Sequence, residues 1–514
     1  MSTDRHTSVL IVGGGAVGLL LACELAARGV DTTVVEELPA VRDVPRAGTL
    51  HARTVQTLLR RGHLRLNGTG RLDEHQRFGF HFGGLSVLEI DAPTAEGPPI
   101  VNRSQADLEH LFEAGATRSG ARVWRGARVV DLVEEAAGVT VSVLAADGAA
   151  HTLTADWVVG CDGARGTVRE RAGITSTTTE PTFAAALGMV RLLDPASAPG
   201  GWARGPGGGT LVNVNPYGHS RVIAHDFTRP LPDRRRPVTL GELRASTARV
   251  LGRDLPMTDL AHAARYSDFT RLADGYRSPG HGRVLLAGDA AHVHAPLGGQ
   301  GLNTGLQDAV NLGWKLALVA RGAAPAELLD TYTAERRPVA AAVVANTRAQ
   351  AAVMDPRPER APARASVRRY LGDEEALRAT AAEVSGQSIT LPPTAPGAGP
   401  DLGAGWFLPN HTLATAEGPR TVAELLTAGR PLLLFVPAVG EGLADTALAW
   451  GDRLDPVPVA DDPALGWNAV LCRPDGYTAW SSPTGTRPDL GALTRALTHW
   501  LGPLRHPAHL GERT

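Results

Sequence analysis

Residues 8–36 read SVLIVGGGAVGLLLACELAARGVDTTVVE. A β-branched run, Ser8 to Val12, leads into Gly13-Gly14-Gly15-Ala16-Val17-Gly18, and apolar residues at helical spacing follow from 16 to 28. After Gly29 a second strand pattern runs from Val30 to Glu36. This is one βαβ unit with a G-x-G-x-x-G at its first turn. In such a turn the glycines permit the tight bend, the approach of the backbone to a pyrophosphate, and close packing of helix on strand. The helix start that follows offers free N–H groups and partial positive charge to phosphates. Glu36, at the end of the second strand, can accept hydrogen bonds from an adenosine ribose, which argues against a 2′-phosphate there. Gly13, Gly15, Val17, Gly18 and Glu36 are therefore candidate dinucleotide contacts, and this pattern alone does not choose between NAD and FAD.

The choice comes from residues 283–317, RVLLAGDAAHVHAPLGGQGLNTGLQDAVNLGWKLA. A buried strand ends in Gly288-Asp289, and the chain continues through Pro296, Gly298, Gly299, Gly301, Leu302 and Asn303 into a helix. An acidic side chain at a strand end can hold a sugar-alcohol hydroxyl. A second glycine-rich helix start can sit against a ring that becomes anionic on reduction. One helix start for a pyrophosphate and another for a flavin edge suit FAD; NAD has neither the ribityl chain nor the anionic reduced ring.

The bulk properties leave room for this. A chain of 514 residues predicts about three domains. With 43% hydrophobic and 20% charged residues and a net charge of −2, the composition is globular and gives no footprint for nucleic acid. Cys23, Cys161 and Cys472 are widely spaced and odd in number, so neither a disulfide framework nor a C-x-x-C site is encoded, and a cytoplasmic location is expected. The apolar run Val9 to Ala27 is broken by glycines and Glu24, which counts against a membrane span or signal segment. Lys315 is the only lysine among many arginines, a bias read as that of a GC-rich genome.

Along the chain, helical patterns are expected at 46–62, after a turn, and at 104–119. Strands are expected near Val123, at Val129 to Val133, Val139 to Val143 and Asp156 to Cys161. From about 176 to 275 strand-like runs such as Thr210 to Val214 and Arg221 to His225 dominate, with few long helical patterns. Helical patterns return from Gly301 to Val319 and from Pro325 to Met354, with Pro338 expected to break the second. A Pro-, Gly- and Thr-rich stretch reads as a linker, beyond which Pro431 to Val436 and Ala469 to Cys472 read as strands and Asp489 to Leu501 as a helix.

The fold class expected is α/β: a Rossmann-like nucleotide domain with an inserted β-rich domain and a C-terminal α/β unit lacking C-x-x-C. The divisions are 1–75, 101–175 and 276–385 for the FAD-binding domain, 76–100 and 176–275 for the β-rich substrate domain, 386–405 for the linker and 406–514 for the C-terminal domain.

The segment GDAAHVHAPLGGQGLNTGLQDAVNLGWKLA resembles the flavin and ribityl motif of the class A flavoprotein aromatic hydroxylases, the p-hydroxybenzoate hydroxylase family. Cys161-Asp162-Gly163-Ala164-Arg165-Gly166-Thr167-Val168-Arg169 resembles the D-G-x-x-S-x-V-R segment of that family, with Gly166 in place of the serine, and implies Asp162 as an FAD contact. Arg46 resembles the arginine that meets the flavin, and Gln105 with Glu109 resembles a Q-x-x-x-E near FAD. Arg473-Pro474-Asp475-Gly476-Tyr477-Thr478-Ala479-Trp480 resembles the thioredoxin-like domain of the phenol and polyketide hydroxylase branch. Within the family the likeness is greatest to actinomycete hydroxylases of angucycline- and tetracycline-type polyketides, as Phe82-Gly83-Gly84-Leu85 and His292-x-His294 suggest.

The resemblance implies non-covalent FAD, reduced by NADPH or NADH as a transient co-substrate, and reaction with O2 to a C4a-hydroperoxyflavin that hydroxylates a phenol. It implies Arg46 and Pro296 as catalytic. Phe82, Tyr217, His225 and Tyr266 are candidate walls of the aromatic substrate site. No metal is expected, because His292 and His294 have no third ligand at suitable spacing. Expected partners are a small aromatic molecule, no nucleic acid and no membrane, with the chain a monomer or homodimer. Alternatives that share these motifs are Baeyer–Villiger insertion, attack on an antibiotic of the rifamycin type, a flavin-dead scaffold, and a halogenase, for which Lys315 is the one candidate lysine.

Overall fold

The computed structural model describes residues 5–44, 46–65, 75–231, 233, 236–393, 404–439 and 442–504. Residues 394–403 of the expected linker lie outside the described residues, as do 1–4, 45 and 66–74 of the expected FAD-binding domain. So do 232 and 234–235 of the β-rich domain and 440–441 and 505–514 of the C-terminal domain.

The main sheet has seven strands. Arg5–Val12 lies at its centre, parallel to Thr32–Glu36 on one side and to Ala150–Gly160 on the other. Arg122–Arg125 extends one flank in parallel, and Val284–Leu286 pairs in parallel with Ala150–Gly160. The antiparallel strands Val139–Ala145 and Ala127–Glu134 complete it. Val9 to Ile11 are fully buried, with both faces of the strand covered, which is why it is continuously apolar. The registers Val12↔Gly160 and Gly160↔Leu286 bring the carboxyl ends of three strands to one edge. The loops that follow them begin at Gly13, Cys161 and Ala287.

Helix Ala16–Ala26 is buried almost all round, between the sheet and helix Gln300–Ala320. Small residues make that contact possible. A Cβ at Gly313 would stand 2.5 Å from the Cβ of Glu24, and one at Gly305 would stand 2.7 Å from Val17. Glu24 itself is fully buried and ion-paired to Arg28, Arg61 and His63. Burial opposes its ionisation, but Arg61 and Arg28 outweigh burial and hold its carboxyl well below the usual range.

The β-rich region forms a five-stranded antiparallel sheet in the order Gly201–Gly205, Gly208–Asn213, Ser220–Asp226, Ala184–Leu192, Met257–Ser267. Helix Leu240–Leu251, capped by Thr239, covers one face. That helix is absent from the sequence expectation. The other face carries Ala185, Leu187, Ile223 and Tyr266, and packs on Ala295, Leu297, Ala351 and Met354. The hairpin His75–Phe82 with Leu85–Pro93 lies against helix Glu374–Val384. Among the described residues no helix is long and apolar enough to cross a membrane.

Pro338 does not break its helix, contrary to expectation: Asp330–Met354 runs uninterrupted through it. Both Pro338 and Ala334, whose carbonyl the proline leaves without an amide donor, face solvent, where water replaces the lost bond.

The C-terminal sheet has the order Asp455–Pro458, Leu432–Phe435, Trp467–Cys472, Thr478–Pro483, with the first pair parallel and the others antiparallel. Helix Leu490–Leu501 merges its apolar face with the main core, Trp500 lying 5.8 Å from Trp314 between ring centroids. Below that contact is a buried charge cluster. Arg473 forks onto Glu335 at 2.6 and 2.8 Å, Lys315 reaches Glu335 at 2.7 Å, and Asp475 accepts from Asn311 at 3.0 Å.

Two expectations follow. Pro338→Ala restores a helical N–H at a solvent-facing turn and should raise the unfolding free energy by roughly 1 kcal/mol, read from chemical denaturation. Burial works against the ionisation of Glu335, but Arg473 and Lys315 prevail and bring its pKa down from 4.5 to about 2. A depressed folded-state pKa contributes stability that is complete above the unfolded value and is lost as pH falls through the folded one. Stability should therefore drop by on the order of 3 kcal/mol from this residue between pH about 5 and 2, and Glu335→Gln should flatten that acid limb in denaturation curves.

Candidate functional site

Along the carboxyl edge of the main sheet lies a cavity of about 610 Å³. Gly13 to Val17, Glu36, Arg42, Arg46, Gln105, Glu109, Asp162, Asp289, Pro296, Gly299, Gly301 and Leu302 line it. Its volume falls within the range of roughly 300–1,000 Å³ usual for small-molecule sites.

The turn at its floor has no room for side chains. Gly13 adopts φ +109°, and a Cβ there would stand 2.3 Å from the Cys161 carbonyl oxygen. A Cβ on Gly18 would stand 2.1 Å from the Gly13 carbonyl oxygen, so Gly18 closes the helix onto the strand and does not face the cavity. At Gly15 the nearest atom is Glu109 Oε1 at 3.9 Å, which leaves the cavity side open to an approaching ligand. Glu36 accepts from the Gly14 amide at 2.6 Å and from the Leu38 amide at 2.8 Å, so the backbone holds its carboxylate at the cavity rim.

Two of the helices that start at the cavity are the ones expected from sequence, and neither has a side-chain cap. Gly15 is the N-cap of Ala16–Ala26, and Gly299, at φ 65°, is the N-cap of Gln300–Ala320. Elsewhere Ser104, Thr239, Asp373, Thr421 and Asp489 cap their helices by accepting first-turn amides. Uncapped amides at two cavity-facing starts, with no acidic residue in either first turn, suit an anion at one and an electron-rich ring edge at the other.

Asp289 opens onto the cavity but lies deep enough that burial raises its carboxyl above the usual range, with His292 countering. Burial likewise raises Asp162, which accepts the Val168 amide at 2.9 Å. A Cβ at Gly166 would stand 2.8 Å from Asp162 Oδ1, so this loop is built around glycine where the family carries serine. Gln105 donates to Glu109 at 2.7 Å, and the backbone of the Gln105 helix is tied to the Arg46 loop through the Ala47 carbonyl. Arg46 is exposed at the cavity and makes no ion pair among the described residues. These features fit FAD: two glycine-lined helix starts, acidic groups at two strand ends and an arginine near the ring-side loop.

Besides Gly18, three expected cofactor contacts lie outside the cavity lining. Asn303 spends its side chain on the protein, donating to Thr49 and Gly299 carbonyls and accepting the His51 amide at 2.8 Å. Gly288, at φ 62°, packs on Val17, and Gly298, at φ 72°, packs on Gln350. Among the residues overlooked in sequence are Arg42, Arg125 and Arg128, which line the cavity from a loop or a strand end without a motif, while Arg165 lines it from within the Cys161–Arg169 segment.

Of the four expected substrate residues, His225 and Tyr266 meet. His225 Nδ1 lies 3.1 Å from the Gly209 carbonyl, which requires it to carry the proton, so Nε2 accepts the Tyr266 hydroxyl at 2.7 Å. Burial pulls the His225 pKa down to about 4 and pushes the Tyr266 phenol up. Trp202 stacks on His225 at 5.3 Å, and a line of rings continues through His81 and Phe80 to His51. His51 Nε2 holds the Gly298 carbonyl at 2.8 Å. None of these four extra residues carries a local motif. Tyr217 corrects the expectation: it is 93% exposed on a hairpin turn and has no enclosing surface from which to form a wall. Phe82 is packed among Leu88, Val353, Leu371 and Val384, which anchors the hairpin. His292 is engaged with Asp308 at 2.6 Å.

Residues 6–347 match the FAD binding domain family and residues 402–503 match the aromatic-ring hydroxylase C-terminal family. The chain is 39% identical, over 96% of its length and 99% of the relative's, to the 12-dehydrotetracycline 5-monooxygenase/anhydrotetracycline 6-monooxygenase of Streptomyces rimosus. The solved structure of OxyS anhydrotetracycline hydroxylase from the same species shares 38% identity at TM-score 0.85, covering 98% of this chain and 100% of that one. That of CabE, an aromatic hydroxylase from angucycline biosynthesis, shares 36% at TM-score 0.84, covering 97% and 100%. The chain belongs to the FAD-dependent aromatic-ring hydroxylases and is a flavin monooxygenase.

Proposed function

We propose that the substrate is a polycyclic phenol of the tetracycline or angucycline kind, and that the chain adds one hydroxyl to it. The observation that carries this reading is the packing of the ring-side loop, Ala295 to Leu297, on the inner face of the five-stranded sheet. That face presents Trp202, Phe183 and the His225–Tyr266 pair, an aromatic surface broad enough for fused rings.

When bound, FAD supplies the two-electron chemistry of NAD(P)H oxidation and the activation of O2. The helix start after Gly15 holds its pyrophosphate, Glu36 its ribose, Asp289 its ribityl hydroxyls, and Gly299 to Leu302 its ring edge. Gln105 and Asp162 position the intervening chain, and Gly18, Gly288 and Gly298 shape the wall. Arg46, at the cavity, would supply a guanidinium to stabilise a phenolate, while Pro296 would shape the loop on the ring side of the cofactor. Tyr266, which donates its own proton to His225, is left with an oxygen that accepts from a substrate phenol. Enclosure by Trp202, Leu297 and Met354 excludes water that would divert the oxidant.

In the same reading, the divisions set by the sequence stand as the domain plan. The C-terminal unit is thioredoxin-like, supported by its strand order and its one parallel pair. The protein is a cytoplasmic monomer or homodimer with NADPH or NADH as its transient co-substrate.

Asp289→Ala should emerge from purification without yellow colour, and a variant retaining full FAD absorbance would contradict the ribityl role. NADPH and NADH oxidation should be stimulated by hydroxylated anthraquinones and related polyphenols, with a product heavier by one oxygen on a ring carbon. Peroxide alone with every compound would sink the substrate class. An oxygen inserted into a ring would instead favour Baeyer–Villiger chemistry.

A further inference from the structure

Among the described residues the C-terminal unit supplies none of the cavity lining, yet its Arg473–Asp475 turn ends on helix Gln300–Ala320, which starts at the cavity, and on helix Asp330–Met354, which packs against it. Arg473 grips Glu335 through both terminal nitrogens and Asp475 through Nε at 3.0 Å. Asp475 in turn takes hydrogen bonds from Asn311 at 3.0 Å and Trp314 at 3.3 Å. On helix Asp330–Met354 the next residue after Glu335 is Arg336, which donates to Asp308 Oδ1 at 2.8 Å and to the Thr304 carbonyl at 3.2 Å. Asp308 Oδ2 closes the path, taking the Gly288 amide at 3.2 Å and His292 at 2.6 Å. Glu335, Lys315 and Asp308 have no solvent exposure at all.

We propose that the Arg473–Asp475 turn is a positioning element for FAD: by locking Glu335 and Asn311 it fixes Arg336, Asp308 and the Gly288–Asp289 loop in the geometry that accepts the cofactor. The links are charge-assisted and fully desolvated, so none of them can slacken without leaving a buried charge unpaired. A second grip supports the same edge. Arg53 and Arg60, on the helix that follows His51, both stack on Phe407 of the C-terminal unit, with guanidinium carbons 3.7 and 4.0 Å from the ring centroid.

The chain's single lysine supplies the test. Lys315 lies beneath the turn, fully buried and hydrogen-bonded to Glu335 and Asn311, so an amine reagent reaches it only when the turn lifts. Because coupling between two sites is reciprocal, FAD must slow this opening if the turn favours FAD. Wild-type protein is labelled at pH 8 with a small amine-reactive ester, at saturating FAD and after removal of FAD, and the peptide carrying Lys315 is followed by mass spectrometry. The expected result is labelling at least about tenfold slower with FAD; equal rates overturn the proposal.

A double-mutant cycle on FAD affinity gives the independent reading. Arg473→Gln and Asp308→Asn should each weaken FAD binding by about tenfold, and together by clearly less than the product of the two. A folded Arg473→Gln with unchanged FAD affinity, or strictly multiplicative losses, would overturn it. If Arg473→Gln does not fold, Asp475→Asn, which keeps the side-chain shape, takes its place in the cycle. Both measurements use FAD without substrate, so a wrong substrate class leaves their outcome untouched.

Discussion

Three loops with no sequence in common meet at one place because three strands run parallel and end in register. Val12 pairs across from Gly160, and Gly160 from Leu286, so whatever follows them in the chain is delivered to the same edge. The first loop brings glycines, the second Asp162 and the third Asp289. Were one strand to slip by a residue, its side chains would change faces and its loop would leave the edge. The register is protected by burial: Val9 to Ile11, Val158, Val159 and Val284 to Leu286 are fully enclosed, so a shift would cost most of the core.

Close approach is the second requirement, and it explains where the glycines fall. Gly13 and Gly18 let strand, turn and helix touch, while Gly305 and Gly313 let helix Gln300–Ala320 lie against helix Ala16–Ala26. Because that packing joins two helices whose uncapped starts face the cavity, the spacing between the starts is set by methyl-sized gaps, one beside the first start at Val17 and one farther along at Glu24. Any side chain added at Gly313 would push against Glu24, which Arg28, Arg61 and His63 pin in place.

Much of this was legible in the sequence because the cofactor edge is written in contiguous motifs. The turn at Gly13, the strand end at Asp289 and the helix start at Gly299 each carry their local geometry with them. The substrate side is assembled differently. The sequence offers His225 and Tyr266 as candidates, but Trp202, the adjacent Phe80 and His81, and His51 come from three separate strands and meet only through the fold, so no spacing announces them. Tyr217 misled because residue type says nothing about whether a turn points to solvent. The Asn303 side-chain amide satisfies the loop from within, a role its position in the motif does not distinguish from ligand contact. The helix at Leu240–Leu251 did carry a signal, Thr239 three residues before Glu242 and Gly252 at its end, but the surrounding strand patterns obscured it.

The way the C-terminal unit is attached separates two jobs that one kind of contact could not do. Leu493, Leu497 and Trp500 bury apolar surface against the main core, and such surface tolerates sliding with little loss. Charges do not. Arg473, Lys315, Glu335 and Asp475 balance as two positive and two negative groups, and each is hydrogen-bonded to a neighbour in this one register. A displacement by one residue would strand a charge away from water, at a cost of about 3–5 kcal/mol, which exceeds what the apolar face could recover by sliding. Apolar burial thus supplies the affinity of the unit for the core and the charge cluster supplies its alignment, with Glu335 and Asn311 as the points where that alignment enters the helices that form the cofactor edge.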